Sequence, residues 1–135
     1  MKRNIASLIA FAASTALAFS QVQIKVGSAL KISESITIDG ALSEAVWRGA
    51  QDFTDFIQFE PERGKPASLK TTVRILYDER NIYLGFPCYD PKPELLAASQ
   101  SKRYSDLRID DSVAVCLDTF YDKRNCYYFM TNLLS

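Results

Sequence analysis

The stretch IDGALSEAVWRGA, residues 38–50, decides the fold, because it joins a tight turn to a short apolar repeat around the chain's single tryptophan. Asp39-Gly40 is a strong turn pair, since glycine adopts positive φ at no steric cost. After the turn, apolar residues recur at helical spacing: Leu42, Ala45, Val46 and Ala50. This spacing predicts one or two helical turns that pack by one face. We therefore expect Trp47 to be a core anchor beside that face and not a platform for a ligand.

The first 20 residues have the pattern of a secretory signal peptide. Lys2 and Arg3 form a charged start, an apolar stretch follows, and Ala18 and Ser20 offer small residues for cleavage before Gln21. The apolar stretch is short for a membrane span, which needs about 20 residues; a retained anchor helix is the alternative. We expect an exported protein, in the periplasm, the outer membrane or outside the cell, with no transmembrane helix once the signal is removed.

The remaining residues, 21–135, suffice for one domain with a core but not for two. Removal of the signal takes away two of the 16 basic residues and none of the 16 acidic ones, which leaves a net charge of −2. No basic stripe is present, so a nucleic-acid partner is not expected. The chain has no histidine, which excludes His-based catalytic triads and His-ligated zinc.

Three cysteines, Cys88, Cys116 and Cys126, lie in strand-like runs. In an oxidising compartment one pair can be bridged and one thiol left over, and the spacing fits no metal knuckle. Buried free thiols are the alternative. The sequence leaves both possibilities open.

From residue 53 onward, short alternating runs are separated by polar turns. The alternation predicts a strand over residues 53–59, a hairpin over 71–89, and further strands over 113–117 and 126–131. A long polar loop covers residues 94–110, and loops of this length are often binding loops. Many short strands with one brief helix near the start predict an all-β fold, an antiparallel β-sandwich.

Four groups of motifs occur in a fixed order along these elements. They are the IDG opening with Trp47, the TVRILYD and NIYLG runs of residues 72–85, the KR and DDSV runs of 102–113, and the LDT and YF runs of 117–132. This order resembles the carbohydrate-binding module family 9-like domain, in the version found at the N-terminus of exported bacterial proteins with a long β-rich C-terminal region. The resemblance implies a module over residues 35–135 after a lead-in at 21–34, with the sandwich incomplete at its C-terminus.

The resemblance implies a non-catalytic module that binds saccharide, within a longer protein of carbohydrate binding or catabolism. Its partners would be a saccharide ligand and a downstream domain of the parent protein, and any glycosidase activity would lie in an attached domain. The alternative is a structural or interaction domain that leads an outer-membrane or cell-surface β-barrel-like protein. Family members stack a sugar between two tryptophans, whereas this chain has one, which favours the alternative.

Saccharide binding needs exposed flat aromatic rings and planar polar groups. Tyr104 in the long loop, flanked by Arg103 and Asp106, is the best candidate, and Tyr121 in the final turn is second. The alternative is that Tyr104 is an ordinary loop tyrosine. We expect strand aromatics such as Phe129 to serve packing.

Calcium is a second candidate ligand, because it prefers clustered carboxylate oxygens in loops. Asp110 and Asp111 enter a strand, Asp118 and Asp122 bracket the following turn, and a hairpin could bring the two pairs together. The alternative is that these carboxylates make turn hydrogen bonds, or salt bridges with an arginine: Arg103, Arg108 or Arg124. No pair of acids stands out as a glycosidase pair, so an enzyme is not expected.

Overall fold

The computed structural model describes residues 25–134, and the predicted signal peptide lies outside the described residues. Five strands form two small sheets: β1 Leu30–Lys31, β2 Arg74–Tyr77, β3 Ile82–Gly85, β4 Ser112–Leu117 and β5 Tyr127–Asn132. Short 3-10 helices lie at Ala45–Gly49, Pro93–Leu95 and Leu107–Ile109. None of these described helices is long and apolar enough to cross a membrane. The expected β-rich fold is confirmed.

The hairpin β2–β3 forms as the alternating apolar residues predict. It is antiparallel, with Arg74 opposite Gly85. Asp78 closes its turn, because its carboxylate accepts hydrogen bonds from the amides of Arg80 and Asn81, both at 2.7 Å. This is the local bonding that makes aspartate a favoured turn residue.

β1 joins the same sheet in parallel with β2, which the sequence did not indicate. Lys31 pairs with Tyr77, and the amide of Ile32 donates to the Tyr77 carbonyl at 2.9 Å. These strand residues belong to the segment expected to be a lead-in, 21–34. A two-residue strand is too short for alternation to reveal it. The first sheet is mixed, so the prediction of purely antiparallel pairing was wrong.

The core lies where this sheet meets the stretch 38–50. Ile32, Trp47 and Leu76 are buried, with Trp47 only 4% exposed. The indole N–H of Trp47 donates to the Glu44 carboxylate at 3.1 Å, which satisfies its polar group at the edge of the core. The prediction that Trp47 is a core anchor is confirmed.

The Asp39-Gly40 turn directs the chain into this core. Gly40 has a φ of 82°, and the Asp39 carboxylate accepts a hydrogen bond from the amide of Ala41 at 2.9 Å. Leu42 follows and packs against the buried residues. The predicted short helix also forms, as a five-residue 3-10 helix.

β4 and β5 form a second, separate antiparallel hairpin, in which Val115 lies opposite Phe129 and Cys116 opposite Tyr128. The strands predicted over 113–117 and 126–131 are therefore confirmed to within one residue at each end. No strand pairing joins the two sheets among residues 25–134. The structure shows two small sheets, which agrees with a β-rich fold but does not establish the expected β-sandwich.

Residues 53–59 do not form the predicted strand. Phe53 makes an isolated bridge with Val73, and Ile57 makes another outside any strand. Between them Asp55 has a φ of 57°, in the left-handed region, which interrupts an extended backbone. Side-chain alternation does not reveal such an interruption, so this prediction was wrong.

Candidate functional site

An open cavity of about 680 Å³ lies between the long loop and β5. Residues 100–108 form its wall, and residues 128–131 form its floor. Three of the four predicted saccharide-binding residues line it: Arg103, Tyr104 and Asp106. The structure thus brings these three side chains to one concave surface.

A carboxylate at the base of the loop fastens this wall to β5. Asp110 accepts hydrogen bonds from the Ser99 hydroxyl at 2.7 Å and from the backbone amides of Ser99 and Gln100 at 3.0 and 2.9 Å. From β5, the side-chain amide Nδ2 of Asn132 donates to the Asp110 carboxylate and to the Gln100 carbonyl, both at 2.8 Å. The hydrogen bond from the Ser99 hydroxyl, with the others, lowers the pKa of Asp110 to about 2. Asn132 is buried, whereas Ser99 on the other side of the carboxylate is exposed.

Asp106 and Arg108 form a two-point ion pair within the wall. Nε and Nη2 of Arg108 donate to the two oxygens of Asp106 at 2.8 and 2.7 Å. Asp106 also accepts from the Arg108 amide at 3.1 Å, which caps the 3-10 helix Leu107–Ile109. The hydrogen bond from the Arg108 side chain lowers the pKa of Asp106 to about 2, so the carboxylate is charged at neutral pH. The pair is exposed and stabilises little, but it presents fixed planar donors and acceptors.

Tyr104 stands in the wall in an uncommon backbone conformation. Its φ is 68° and its side chain is 96% exposed. A bulky residue held in the left-handed region costs of order 1–3 kcal/mol, and such outliers cluster at ligand sites. Tyr128 lies on the floor of the same cavity. The cavity therefore contains an exposed ring from the loop and a second ring from the sheet.

The cavity carries surplus positive charge. Lys102 and Arg103 line it, and neither makes an ion pair with any residue in the part of the chain that the structure describes. Asp106 is the one carboxylate among the described lining residues, and Arg108 neutralises it. This charge favours an anionic ligand over a cation.

Tyr121, the second predicted aromatic candidate, lies outside this cavity. It belongs to the turn between β4 and β5, has a φ of 53° and is 82% exposed. The Lys123 ammonium lies 5.7 Å from the centre of its ring. The structure does not bring Tyr121 together with Tyr104.

The aspartates expected to bind calcium do not form one cluster. β4 separates the pair before it from the pair after it: Asp110 and Asp111, and Asp118 and Asp122. A strand of this length spans roughly 20 Å, too far for one ion to bridge. Within residues 25–134, no group of three or more acidic, cysteine or histidine side chains could hold a metal ion.

These carboxylates instead accept backbone hydrogen bonds. Asp111 accepts from the amide of Ala97 at 2.6 Å, and Asp118 accepts from the amide of Lys123 at 2.8 Å. Asp122 accepts from Asn125, whose hydrogen bonds lower the pKa of the Asp122 carboxyl. Turn hydrogen bonding, the alternative raised by the sequence, is present at Asp118 and Asp122, whereas Asp110 and Asp111 accept hydrogen bonds from residues distant in the chain.

The three cysteines are unbridged and exposed. Cys88 pairs with Thr71 beside the first sheet, whereas Cys116 and Cys126 belong to the β4–β5 hairpin. The sequence left open one disulfide or buried free thiols, and the structure shows thiols that are free but exposed. Cys116 lies in β4, whereas Cys88 makes an isolated bridge and Cys126 precedes β5, so an apolar run in the sequence did not mean burial in a strand.

The floor of the cavity was missed from the sequence. Tyr128 and Met130 alternate along β5 and so share one face, but alternation does not show which face the loop covers. Phe129, expected to serve packing, is exposed and also borders the cavity. The role of Asn132 as the anchor of the loop had no signal at all in the sequence.

Comparison of the chain with known protein families, with curated proteins and with solved structures found no match. What the chain does is therefore inferred from the geometry of the cavity and from the motifs in the sequence.

Proposed function

We propose that the chain is a non-catalytic carbohydrate-binding module, related to the family 9-like domain, that binds saccharide in the cavity between residues 100–108 and β5. The observation that carries the proposal is the convergence of Arg103, Tyr104 and Asp106 on one cavity that also contains Tyr128. Aromatic rings pack on the apolar faces of sugars, and planar charged groups bind their hydroxyls. The cavity volume falls within the range of roughly 300–1,000 Å³ usual for small-molecule sites.

A binding role without hydrolysis fits the acids around the cavity. Glycoside hydrolysis uses two carboxylates, about 5–9.5 Å apart according to mechanism. Among the described lining residues Asp106 stands alone, and Arg108 holds both of its oxygens. In this proposal any hydrolytic activity belongs to an attached domain of a longer parent protein.

The same proposal places the module in an exported protein and makes both sheets part of one β-sandwich. The signal-peptide pattern of residues 1–20 supports export to the periplasm, the outer membrane or the medium. By register, Leu117, Tyr127 and Phe129 share one face of the β4–β5 hairpin, and both aromatics on that face are exposed. An apolar sheet face of this kind is normally covered by a second layer.

Isothermal titration of the full chain against a glycan panel tests the binding proposal. The panel includes neutral oligosaccharides and oligosaccharides of uronic acids, because Lys102 and Arg103 add positive charge to the cavity. We expect saturable binding of at least one glycan. If none of a broad panel binds, the proposal fails.

Two tyrosine variants then locate the site. Tyr104→Asn removes the ring while keeping a residue that tolerates positive φ, so affinity should fall about tenfold. Tyr121→Asn is the matched control, since Tyr121 is also exposed and at positive φ but lies outside the cavity. Equal losses in the two variants would contradict the assignment of the cavity.

A structural or interaction domain of a cell-surface protein is the second candidate. The exposed aromatic face of β5, with Tyr127 and Phe129, favours it, because exposed apolar patches mark contact surfaces. The gene segment that follows in the same reading frame separates the two candidates. A glycosidase domain there supports the binding module, and long strands of alternating apolar and polar residues, typical of a membrane β-barrel, support the structural role.

A further inference from the structure

Two of the three cysteines lie side by side on the β4–β5 hairpin. Cys116 pairs with Tyr128 and Leu117 with Tyr127, so the same register places Cys126 opposite Asp118. Because side chains alternate across a strand, Cys116 and Cys126 project from the same face. They are diagonal neighbours in an antiparallel pair, about 7–8 Å apart by ordinary sheet geometry.

The two thiols interact with each other. A hydrogen bond with the Cys116 thiol is the main cause that raises the pKa of Cys126 above its ordinary value, and partial desolvation adds to it. Both side chains are exposed, so a dissolved or protein-bound oxidant can reach them. Cys88 lies apart from this pair, in a bridge with Thr71 beside the first sheet.

We propose that Cys116 and Cys126 form a disulfide in an oxidising compartment and that Cys88 stays a free thiol. The oxidant is a disulfide, either a small molecule or a thiol–disulfide exchange protein. The thiolate of one cysteine attacks it to form a mixed disulfide and releases one thiol. The thiolate of the second cysteine then displaces the other half. Two protons and two electrons leave the cysteines, and the oxidant is reduced to two thiols.

The hairpin needs only a local adjustment to close this bond. A disulfide requires α carbons about 4.4–6.8 Å apart, whereas diagonal neighbours lie roughly 7–8 Å apart. Cys126 stands just before the first residue of β5, outside the paired strand, so its backbone can approach without breaking the ladder. The bridge would pin the register of β5, whose next residues form the floor of the cavity.

Peptide mapping of the full chain tests the proposal. The protein is incubated with oxidised glutathione, alkylated without reduction and digested with trypsin. Cleavage after Lys123 and Arg124 separates the two cysteines, so a bridge leaves two peptides linked. We expect two of the three thiols to be lost, a linkage between Cys116 and Cys126, and alkylated Cys88. A linkage through Cys88, three alkylated thiols or unlinked glutathione adducts alone would overturn the proposal.

Serine variants separate the bridge from general oxidation. Cys88→Ser should still form the linkage, whereas Cys116→Ser should not. The bridge closes a short loop, so oxidation should raise Tm by roughly 10 °C in the unmodified chain and in Cys88→Ser. The same treatment should leave the Tm of Cys116→Ser unchanged, and an equal rise in that variant would count against the bridge. Saccharide binding plays no part in these measurements, so they stand apart from the proposed function.

Discussion

At the scale of single residues, Gly85 is the point where the first sheet meets the stretch 38–50 most closely. A β carbon at this position would overlap Cδ2 of Leu42 and would lie 3.0 Å from Cζ3 of Trp47. Both neighbours pack in the core, and core side chains have little room to move. The absence of a side chain at the end of β3 is what lets the tryptophan lie against the sheet.

The variant Gly85→Ala should therefore lower the free energy of unfolding by about 1–3 kcal/mol, the usual cost of overpacking. Urea denaturation followed by far-UV circular dichroism measures the change. Gly49→Ala is the matched control, because a β carbon there would lie 3.3 Å from the flexible end of Leu30, which needs to give way only slightly. Similar shifts of the urea midpoint in both variants would show that the close contact with Leu42 and Trp47 is not what destabilises Gly85→Ala.

At the scale of elements, the wall of the cavity depends on one polar junction between the loop and β5. Asp110 and Asn132 are 22 residues apart in the chain and join at 2.8 Å. Asp110 also accepts hydrogen bonds from the backbone amides of Ser99 and Gln100. Since these residues begin the loop that carries Tyr104 and Asp110 ends it, one carboxylate holds the two ends together. Asp110 is thus a positioning residue and does not line the cavity.

We expect Asp110→Ala to make the loop that forms the wall of the cavity more mobile. The backbone amides of Ser99 and Gln100 lose their acceptor, so local opening costs less free energy. Their hydrogen exchange should therefore speed up about tenfold or more. Exchange followed by NMR measures it directly. Asp122→Ala is the control, because it removes an equivalent acceptor in the β4–β5 turn and should leave the exchange at residues 99 and 100 as it was. Unchanged exchange in Asp110→Ala would mean that other contacts hold the loop.

At the scale of the whole molecule, several carboxylates accept hydrogen bonds that favour their charged form, so we expect stability to depend on their ionisation. Hydrogen bonds donated to them hold the pKa of six carboxyl groups below their ordinary values: Glu44, Asp52, Asp78, Asp106, Asp110 and Asp122. The chain has no histidine whose charge could change between pH 5 and 8. The free energy of unfolding is therefore expected to fall in acid and not near neutral pH.

The free energy of unfolding should rise as the pH increases from about 2 to about 5 and then stay level to about pH 8. The sign follows from proton binding. These groups have lowered pKa values in the folded state, so the unfolded state binds more protons in the acid range and acid favours it. Above the ordinary carboxyl pKa values both states are ionised and the contribution is complete. Urea midpoints measured at pH 2.5, 3.5, 5 and 7 check this, and a midpoint that falls between pH 2.5 and 5 would contradict it.

Local chemistry in the sequence was enough to locate several elements correctly. The Asp39-Gly40 turn, the β2–β3 hairpin and the β4–β5 strands follow from turn residues and alternation, which act over a few positions. The same signals failed at residues 53–59, because one left-handed residue interrupts the extended backbone without changing the apolar pattern. They also failed at β1, a strand of two residues that exists only through its pairing with β2.

The sequence by itself singled out candidate residues for the proposed saccharide site and determined which residue anchors the core. A loop tyrosine with charged neighbours and a single tryptophan beside an apolar repeat are visible as residue types and spacing. Only the tertiary structure decided that Tyr104 faces a cavity with Tyr128 and that Tyr121 does not. It also decided that Cys116 and Cys126 lie on the same face of the β4–β5 hairpin and that four aspartates lie at opposite ends of β4. The physical reason is that strand pairing and the hydrogen bond between Asp110 and Asn132 join residues far apart in the chain, and sequence spacing carries no record of such contacts.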